Sequence, residues 1–358
     1  MISMSTLIIP CAGRSTRFPD MRPKWMLTHP DGKLMVEKAI EGMPLETFDR
    51  IIITIVREHS IKYEAKIVLE QVFGASVNPA VEIFELEDFT SCQAETVHKT
   101  IVEKKVTGNF VVKDSDNQVQ VGGFTHPEFI VGLNVNTFDA EVYRLKSKSF
   151  LMVNDQGVVV DIIEKKIRSE HICLGVYGFD RTEKFIHAYE SLLQNGARGE
   201  IYLSHIISYL IGTKQSVYSY VEATGFEDWG TLQDWRVTQR RHATYFVDID
   251  GVLLKNKGKY GTENWSNTLP VIEENLGVLK QLYDDGAQIV FTTCRAEKDL
   301  EGFKKMIEER GIVAHSFVTQ CNHAPRIMIN DFAPSNPYPS TTAINIPRDG
   351  SLKIYIQK

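Results

Sequence analysis

The chain has 358 residues, 43% hydrophobic and 24% charged, the composition of an ordinary globular protein and long enough for two domains. A net charge of -6 and an isoelectric point near 6.0 offer no basic field for nucleic acid, so any anion must be held by local groups. Five dispersed cysteines, Cys11, Cys92, Cys173, Cys294 and Cys321, lack the paired spacing of a structural zinc and fit the reduced thiols of a cytoplasmic protein. No apolar run approaches the roughly 18 residues of a membrane span.

The apolar run Leu7–Ile9 reads as a buried strand that breaks at Pro10 into a loop holding Gly13, Ser15 and Thr16 with Arg14, Arg17, Arg22 and Lys24. Such a loop suits polyphosphate: backbone N–H groups beside a glycine can approach phosphate oxygens, and the cations bring charge. Further strands are expected at Arg50–Val56, Val81–Glu85, Phe110–Lys113, Phe129–Leu133, Val158–Ile163 and His171–Phe179. Helical patterns at Leu34–Met43, Ser60–Phe73 and Ala94–Lys105 alternate with them. This alternation predicts an α/β domain with a largely parallel sheet.

The polar, basic stretch Arg236–Ala243 precedes a new apolar strand, so the boundary is placed between residues 1–241 and 242–358. The second α/β unit should have strands at Tyr245–Val247, Gln288–Thr292, Ala314–Val318 and Ile327–Ile329, with helices near Pro270–Asp285 and Glu297–Arg310. Its first strand ends in Asp248-Ile249-Asp250-Gly251, where carboxylates two positions apart project the same way and can reach one phosphate.

Ala12-Gly13, Thr16-Arg17-Phe18 and Pro23-Lys24 together resemble the sugar nucleotidylyltransferase family, and the resemblance extends over about the first 235 residues through separate pieces. It implies a Rossmann-like domain, here with a mixed sheet, that joins a nucleoside triphosphate to a sugar 1-phosphate with release of pyrophosphate. On that resemblance Ala12, Gly13, Arg14 and Gln93 contact the nucleotide, while Arg17 and Lys24 are catalytic cations on the triphosphate. Asp116, after the strand Phe110–Lys113, and Asp228, in Phe226-Glu-Asp-Trp-Gly-Thr231, are the expected Mg²⁺ ligands. Glu164-Lys165-Lys166 is similar to the family's Glu-Lys-Pro, which leaves open whether Lys165 or Lys166 meets the acceptor phosphate, and Glu200 is expected to contact acceptor hydroxyls. Trp25 stands where a small apolar residue is usual, which points away from an ordinary hexose phosphate as acceptor.

The Tyr245–Leu253 segment resembles the first motif of the haloacid dehalogenase superfamily, implying a parallel sheet with a minimal cap, a nucleophile at Asp248 and an acid/base at Asp250. Thr293 resembles the phosphoryl-binding hydroxyl of the second motif. Asp331 is the expected ligand, with Asp248 and the backbone carbonyl of Asp250, for a second Mg²⁺. No lysine lies between Ala314 and Ile327, so Arg326 is the candidate to replace the one the third motif usually supplies. The polar insertion between Leu254 and Pro270 is too short for a lid domain and leaves a site suited to a bulky substrate or to closure by another subunit.

The expected function is therefore a bifunctional enzyme of activated-sugar or polyol supply with one Mg²⁺ per domain. Its partners are a nucleoside triphosphate and a phosphorylated small-molecule acceptor, with no nucleic acid and no membrane, and self-association is compatible with the open second site. The alternatives are a nucleotidyltransferase with a catalytically silent second domain, and a nucleotide-sugar sensor.

Overall fold

The computed structural model describes residues 4–74, 79–136, 145, 148–196, 199–256, 270–333 and 340–356. It divides into two units, Met1–Leu232 and Gln233–Lys358.

In the first unit the apolar runs become β1 (Met4–Pro10), β2 (Phe48–Val56), β3 (Val81–Leu86) and β4 (Phe110–Lys113). Leu7 and Ile9 pack into one hydrophobic cluster and Ile8 into another, so both faces of the sheet are covered, and this is why these strands read as unbroken apolar runs. The chain continues through β5 (Asn117–Gln120), β6 (Phe129–Asn134), β7 (Ser149–Val153), β8 (Val158–Glu164), β9 (His171–Phe179), β10 (Tyr218–Glu222) and β11 (Gly225–Asp228). Nine of these strands form one sheet in the order β3-β2-β1-β4-β9-β6-β10-β8-β7. The β3-β2-β1-β4 half is parallel, whereas β9 runs antiparallel to β4, β6 and β7, and β8 antiparallel to β7 and β10. The sheet is thus mixed rather than largely parallel: β9 runs against its partners β4, β6 and β7 and β7–β8 is an antiparallel pair, while β10 lies parallel to β6.

The helices of this unit are α1 (Met35–Glu41), α2 (Arg57–Tyr63), α3 (Ala65–Val72), α4 (Gln93–Glu103), α5 (Thr182–Gln194) and α6 (Leu203–Gly212). The single helix expected over Ser60–Phe73 is two, because Glu64 adopts a left-handed φ of 54° and its N–H caps the end of α2 on Ser60. A separate two-stranded ribbon, β5 with β11, pairs Asn117 with Asp228 antiparallel. Gly42, after α1, backs onto this ribbon: a Cβ there would overlap the Val119 carbonyl, and its own carbonyl accepts from the Val121 N–H at 3.0 Å.

The helix α7 (Leu232–Arg241) begins at the last residue of the first unit and takes in much of the polar, basic stretch. It is followed by β12 (Thr244–Asp248), α8 (Glu273–Asp284), β13 (Gln288–Thr292), α9 (Glu301–Glu309), β14 (Ser316–Val318) and α10 (Lys353–Ile356). The three strands form a parallel sheet in the order β12-β13-β14, and its core joins Val247, Ile249, Ile289 and Phe291 to Leu276 and Leu279 of α8 and Phe303 and Ile307 of α9. Buried Asn275 fastens the C-terminal segment: its amide donates to the carbonyls of Val252 and Gly350, and its oxygen accepts from the Leu352 N–H.

Ile327–Ile329 is not a strand. Its residues are 81%, 56% and 94% exposed and lie outside any helix or strand. The run is three residues long and preceded closely by Pro325, which has no N–H to give a ladder, so few backbone bonds are available to offset the entropy of ordering it. Most of the insertion between Leu254 and Pro270 lies outside the described residues. Among the described residues no helix is long and apolar enough to cross a membrane.

Candidate active site

The first unit carries a cavity of about 740 Å³ at the C-terminal ends of β1 and β4, where open α/β sheets place their ligands. Gly13, Arg14, Arg17 and Lys24 line it from the first loop, Gln93 from the start of α4, Asp114 and Asp116 from the end of β4, Lys165 from the end of β8, and Glu200 and Asp228 from beyond. Where a Cβ would stand on Gly13 there is no atom within 4 Å, so the loop backbone is open to the cavity. Ser15 holds a left-handed φ of 50°, and its hydroxyl accepts from the Lys24 N–H at 3.3 Å, tying the two ends of the loop together.

The two carboxylates expected to share a metal do face one space. The β5–β11 register sets Asp228 opposite Asn117, and the Trp229 N–H donates to the Asp116 carbonyl at 2.9 Å. A Cβ on Gly230 would lie 3.3 Å from Asp116 Oδ2 and 3.3 Å from Asp228 Oδ1, so the missing side chain leaves a gap bordered by both acids. Hard carboxylate oxygens converging on a cavity large enough for a triphosphate are a donor set that fits Mg²⁺.

Lysines meet both acids. Lys24 Nζ bonds Asp116 Oδ2, Arg17 stands 3.7 Å from the same oxygen, and Lys148 Nζ lies 2.6 Å from Asp228 Oδ2. Burial pushes the Asp116 carboxyl up, but Lys24 and Arg17 outweigh it and hold the group well below the usual carboxylate range. On Asp114 burial prevails: with added repulsion from Asp116, and against Lys113, the Gln93 hydrogen bond and Lys24, the carboxyl is pushed up to about 6. Lys113, fully buried, donates to the carbonyls of Asp114 and Asn117 and to Asn117 Oδ1 and is lowered to about 8 by burial.

Of the two candidate lysines after Glu164, Lys165 lines the cavity and Lys166 does not. Lys165 holds a left-handed φ of 53° and donates to the Tyr202 hydroxyl at 2.6 Å, and Glu164 accepts from the hydroxyls of Ser149 and Ser204. Gln93 Nε2 donates to Asp114 Oδ1 at 2.5 Å. Arg14 stacks over the Phe89 ring at 4.4 Å. Ala12 does not line the cavity: it is fully buried with Val56 and Leu86, and its carbonyl accepts from the Thr90 N–H. Trp25 is 1% exposed and packs within the core cluster beneath the loop, so the core absorbs much of its bulk.

Two charged cavity residues escaped sequence reasoning. Asp114 had a legible signal, since in Asp114-Ser115-Asp116 positions two apart at a strand end project together. Lys148 had none, because it enters from the start of β7 with no motif around it.

In the second unit Asp248 ends β12 opposite Thr292 of β13, and Arg326 Nη2 donates to its Oδ1 at 3.2 Å. Burial raises the Asp248 carboxyl, with Arg326 opposing. Asp250 accepts from Arg295 Nε at 2.9 Å and Nη2 at 2.6 Å, with the guanidinium itself fully buried. Both Asp250 oxygens are therefore engaged. Thr293 is 1% exposed, and its hydroxyl accepts from the Arg295 N–H at 3.1 Å, so it braces the turn. Asp331 is exposed in the segment that forms no strand.

In fold, the N-terminal two thirds of this chain resembles nucleotidyltransferases of known structure. The nucleoside-diphosphate-sugar pyrophosphorylase of Vibrio cholerae RC9 superposes with a TM-score of 0.54 at 22% identity, covering 65% of this chain and 99% of that one. The inositol-1-phosphate CTP transferase of T. maritima gives 0.51 at 12% identity over 66% and 96% of the two chains. CTP:phosphocholine cytidylyltransferase from Streptococcus pneumoniae gives 0.50 at 20% identity over 66% and 97%. At these identities the likeness is one of fold. In sequence, the bifunctional protein GlmU of Streptococcus pyogenes serotype M12 (strain MGAS2096) is 28% identical over 114 residues, 29% of this chain and 27% of that protein. The chain thus spans about a quarter of the length of the curated relatives it matches. No family model matches the sequence.

Proposed function

We propose that the first unit transfers a nucleotidyl group from a nucleoside triphosphate to a phosphorylated small-molecule acceptor, a sugar, heptose or polyol phosphate, with release of pyrophosphate. The observation that carries this reading is the convergence of Asp116 and Asp228 on Gly230 at the cavity wall, with Arg17, Lys24 and Lys165 around them. The acceptor phosphate oxygen attacks the α-phosphorus, the new P–O bond forms as the α–β bridging bond breaks, and pyrophosphate leaves. Both reactants are anions, so the obstacle is repulsion, and no general base is needed because the attacking phosphate is already ionised. Arg17 and Lys24 bind and orient the triphosphate, Lys165 holds the acceptor phosphate, and Gly13, Arg14 and Gln93 hold the nucleotide. Mg²⁺ on Asp116 and Asp228 supplies charge neutralisation at the reacting phosphates when bound.

The test is incubation of the whole chain with each of four triphosphates, Mg²⁺ and a panel of sugar and polyol phosphates. Pyrophosphate release with one pair supports the reading; triphosphate binding with no pyrophosphate from any pair favours the sensor and overturns it.

For the second unit we propose a haloacid dehalogenase-like module in which Asp248 is the nucleophile and Arg326 offsets the repulsion between its carboxylate and the incoming phosphate. The alternative, a catalytically silent module, draws support from the Arg295 fork on Asp250, since acid/base service requires the guanidinium to withdraw from one oxygen. Phosphate release from sugar phosphates that disappears in Asp248→Asn supports the phosphatase; equal release by the variant and wild type, or none by either, supports the silent module.

A further inference from the structure

Each acid of the proposed metal pair is capped by a lysine from a different part of the chain, Asp116 by Lys24 and Asp228 by Lys148. Lys24 belongs to the first loop and has a place in the reading above; Lys148 does not. Its side chain is 18% exposed, lines the cavity, and lies 5.2 Å from the centroid of the Phe226 ring. Its backbone carbonyl accepts from the Lys165 N–H at 3.1 Å, and the next residue, Ser149, pairs with Glu164 across the β7–β8 ladder. Lys148 and Lys165 therefore leave neighbouring strand ends and enter one cavity side by side, with Asp228 in reach of the first.

We propose that Lys148 is a counter-ion in exchange: it occupies Asp228 until a divalent cation takes that carboxylate, and then turns its charge to the acceptor phosphate beside Lys165. This rests on the nucleotidyl-transfer reading for the second half of the exchange but not for the first. The physical argument is charge count. Lys148 holds Asp228 Oδ2 while the gap beside Gly230 borders Oδ1, so an ammonium and a divalent cation on the two oxygens of one carboxylate would stand a few ångström apart and repel each other, and binding of the metal weakens the Lys148–Asp228 pair. A flexible four-carbon stem lets the freed ammonium move, and the group that needs a cation next is the acceptor dianion held by Lys165. By linkage the lysine must oppose the metal in the free protein, and the acceptor must favour it.

The experiment uses the full chain, with Mn²⁺ as the probe and no nucleotide, in wild type, Lys148→Met and Lys148→Arg. Lys148→Met is expected to tighten Mn²⁺ binding by roughly tenfold, within the usual range of such couplings, while Lys148→Arg keeps the charge and stays near wild type. With the triphosphate and acceptor pair that releases pyrophosphate, Lys148→Met is expected to raise the acceptor KM and lower kcat, and Lys148→Arg to restore part of both. Unchanged Mn²⁺ affinity in a folded Lys148→Met protein overturns the exchange, as does an unchanged acceptor KM. If Lys148→Met does not fold, Lys148→Gln takes its place in both measurements. Should no pair release pyrophosphate with wild type, the transfer reading falls, and the Mn²⁺ comparison still decides whether Lys148 competes for Asp228.

Discussion

Replacing Gly230 with alanine separates the fold from the proposed chemistry. The added methyl would lie 3.3 Å from Asp116 Oδ2, 3.3 Å from Asp228 Oδ1 and 3.6 Å from Arg17 Nη1, so the flanking carboxylates must give way by a few tenths of an ångström. Gly230 does not need the left-handed backbone, so the change in stability should stay within about 1 kcal/mol. Mg²⁺, by contrast, demands near-octahedral oxygens at about 2.0–2.1 Å and tolerates little displacement of its ligands. A shift of this size around a metal site typically lowers affinity on the order of 10- to 100-fold, or ~1.4 to 2.8 kcal/mol. Pyrophosphate release followed across a Mg²⁺ titration, beside a thermal melt, measures both. The expected result is a near-wild-type melting temperature with the Mg²⁺ requirement raised by that factor. An unchanged Mg²⁺ requirement would refute the idea that a cation sits between these two acids.

Gly175→Ala should cost roughly 1–3 kcal/mol in denaturant unfolding, since φ there is +73° and the new Cβ falls onto the Asp114 carboxylate. An unfolding midpoint equal to wild type would show that the Asp114 wall is not rigid. The pH dependence of stability should carry the signature of Asp114. Its carboxyl is raised from the ordinary value to about 6, chiefly by burial, so the folded state holds the proton more tightly than the unfolded chain. That contribution is fully present below about pH 4 and is lost as pH rises through 6. Asp114→Asn removes it while keeping an acceptor for Gln93, so the variant should gain about 1–2 kcal/mol on wild type between pH 4 and 7. A difference that stays flat over that range contradicts the assigned direction.

How much of this was legible in the sequence depends on what each signal reports. Strands buried on both faces announce themselves as apolar runs, and β4 and β9 fall on the stretches read for them. The ribbon β5–β11 was not expected, because short polar strands carry no run and pairing between distant segments leaves no local mark; β7 and β10 were also not expected, although β7 holds the apolar run Phe150–Val153. Asp116 and Asp228 were legible only through the resemblance; their convergence depends on the β5–β11 register, which no spacing encodes. Lys165 could not be told from Lys166 until the left-handed backbone at Lys165 fixed which side chain enters the cavity. In the second unit the strand ends at Asp248 and Thr292 followed from pattern. The fork between Asp250 and Arg295 did not, since a buried ion pair is set by packing around the turn at Thr293. Ile327–Ile329 shows the limit of reading apolar runs, which report side chains and not the backbone partners a strand requires.

The central claim is that Asp116 and Asp228, from distant segments, act as one unit in nucleotidyl transfer. A double-mutant cycle on pyrophosphate release tests it, comparing Asp116→Asn, Asp228→Asn and the pair. The account predicts that either single change lowers turnover by orders of magnitude and that the double variant is little worse than the more damaged single one. Losses that simply multiply, or one substitution that leaves turnover near wild type, would contradict it.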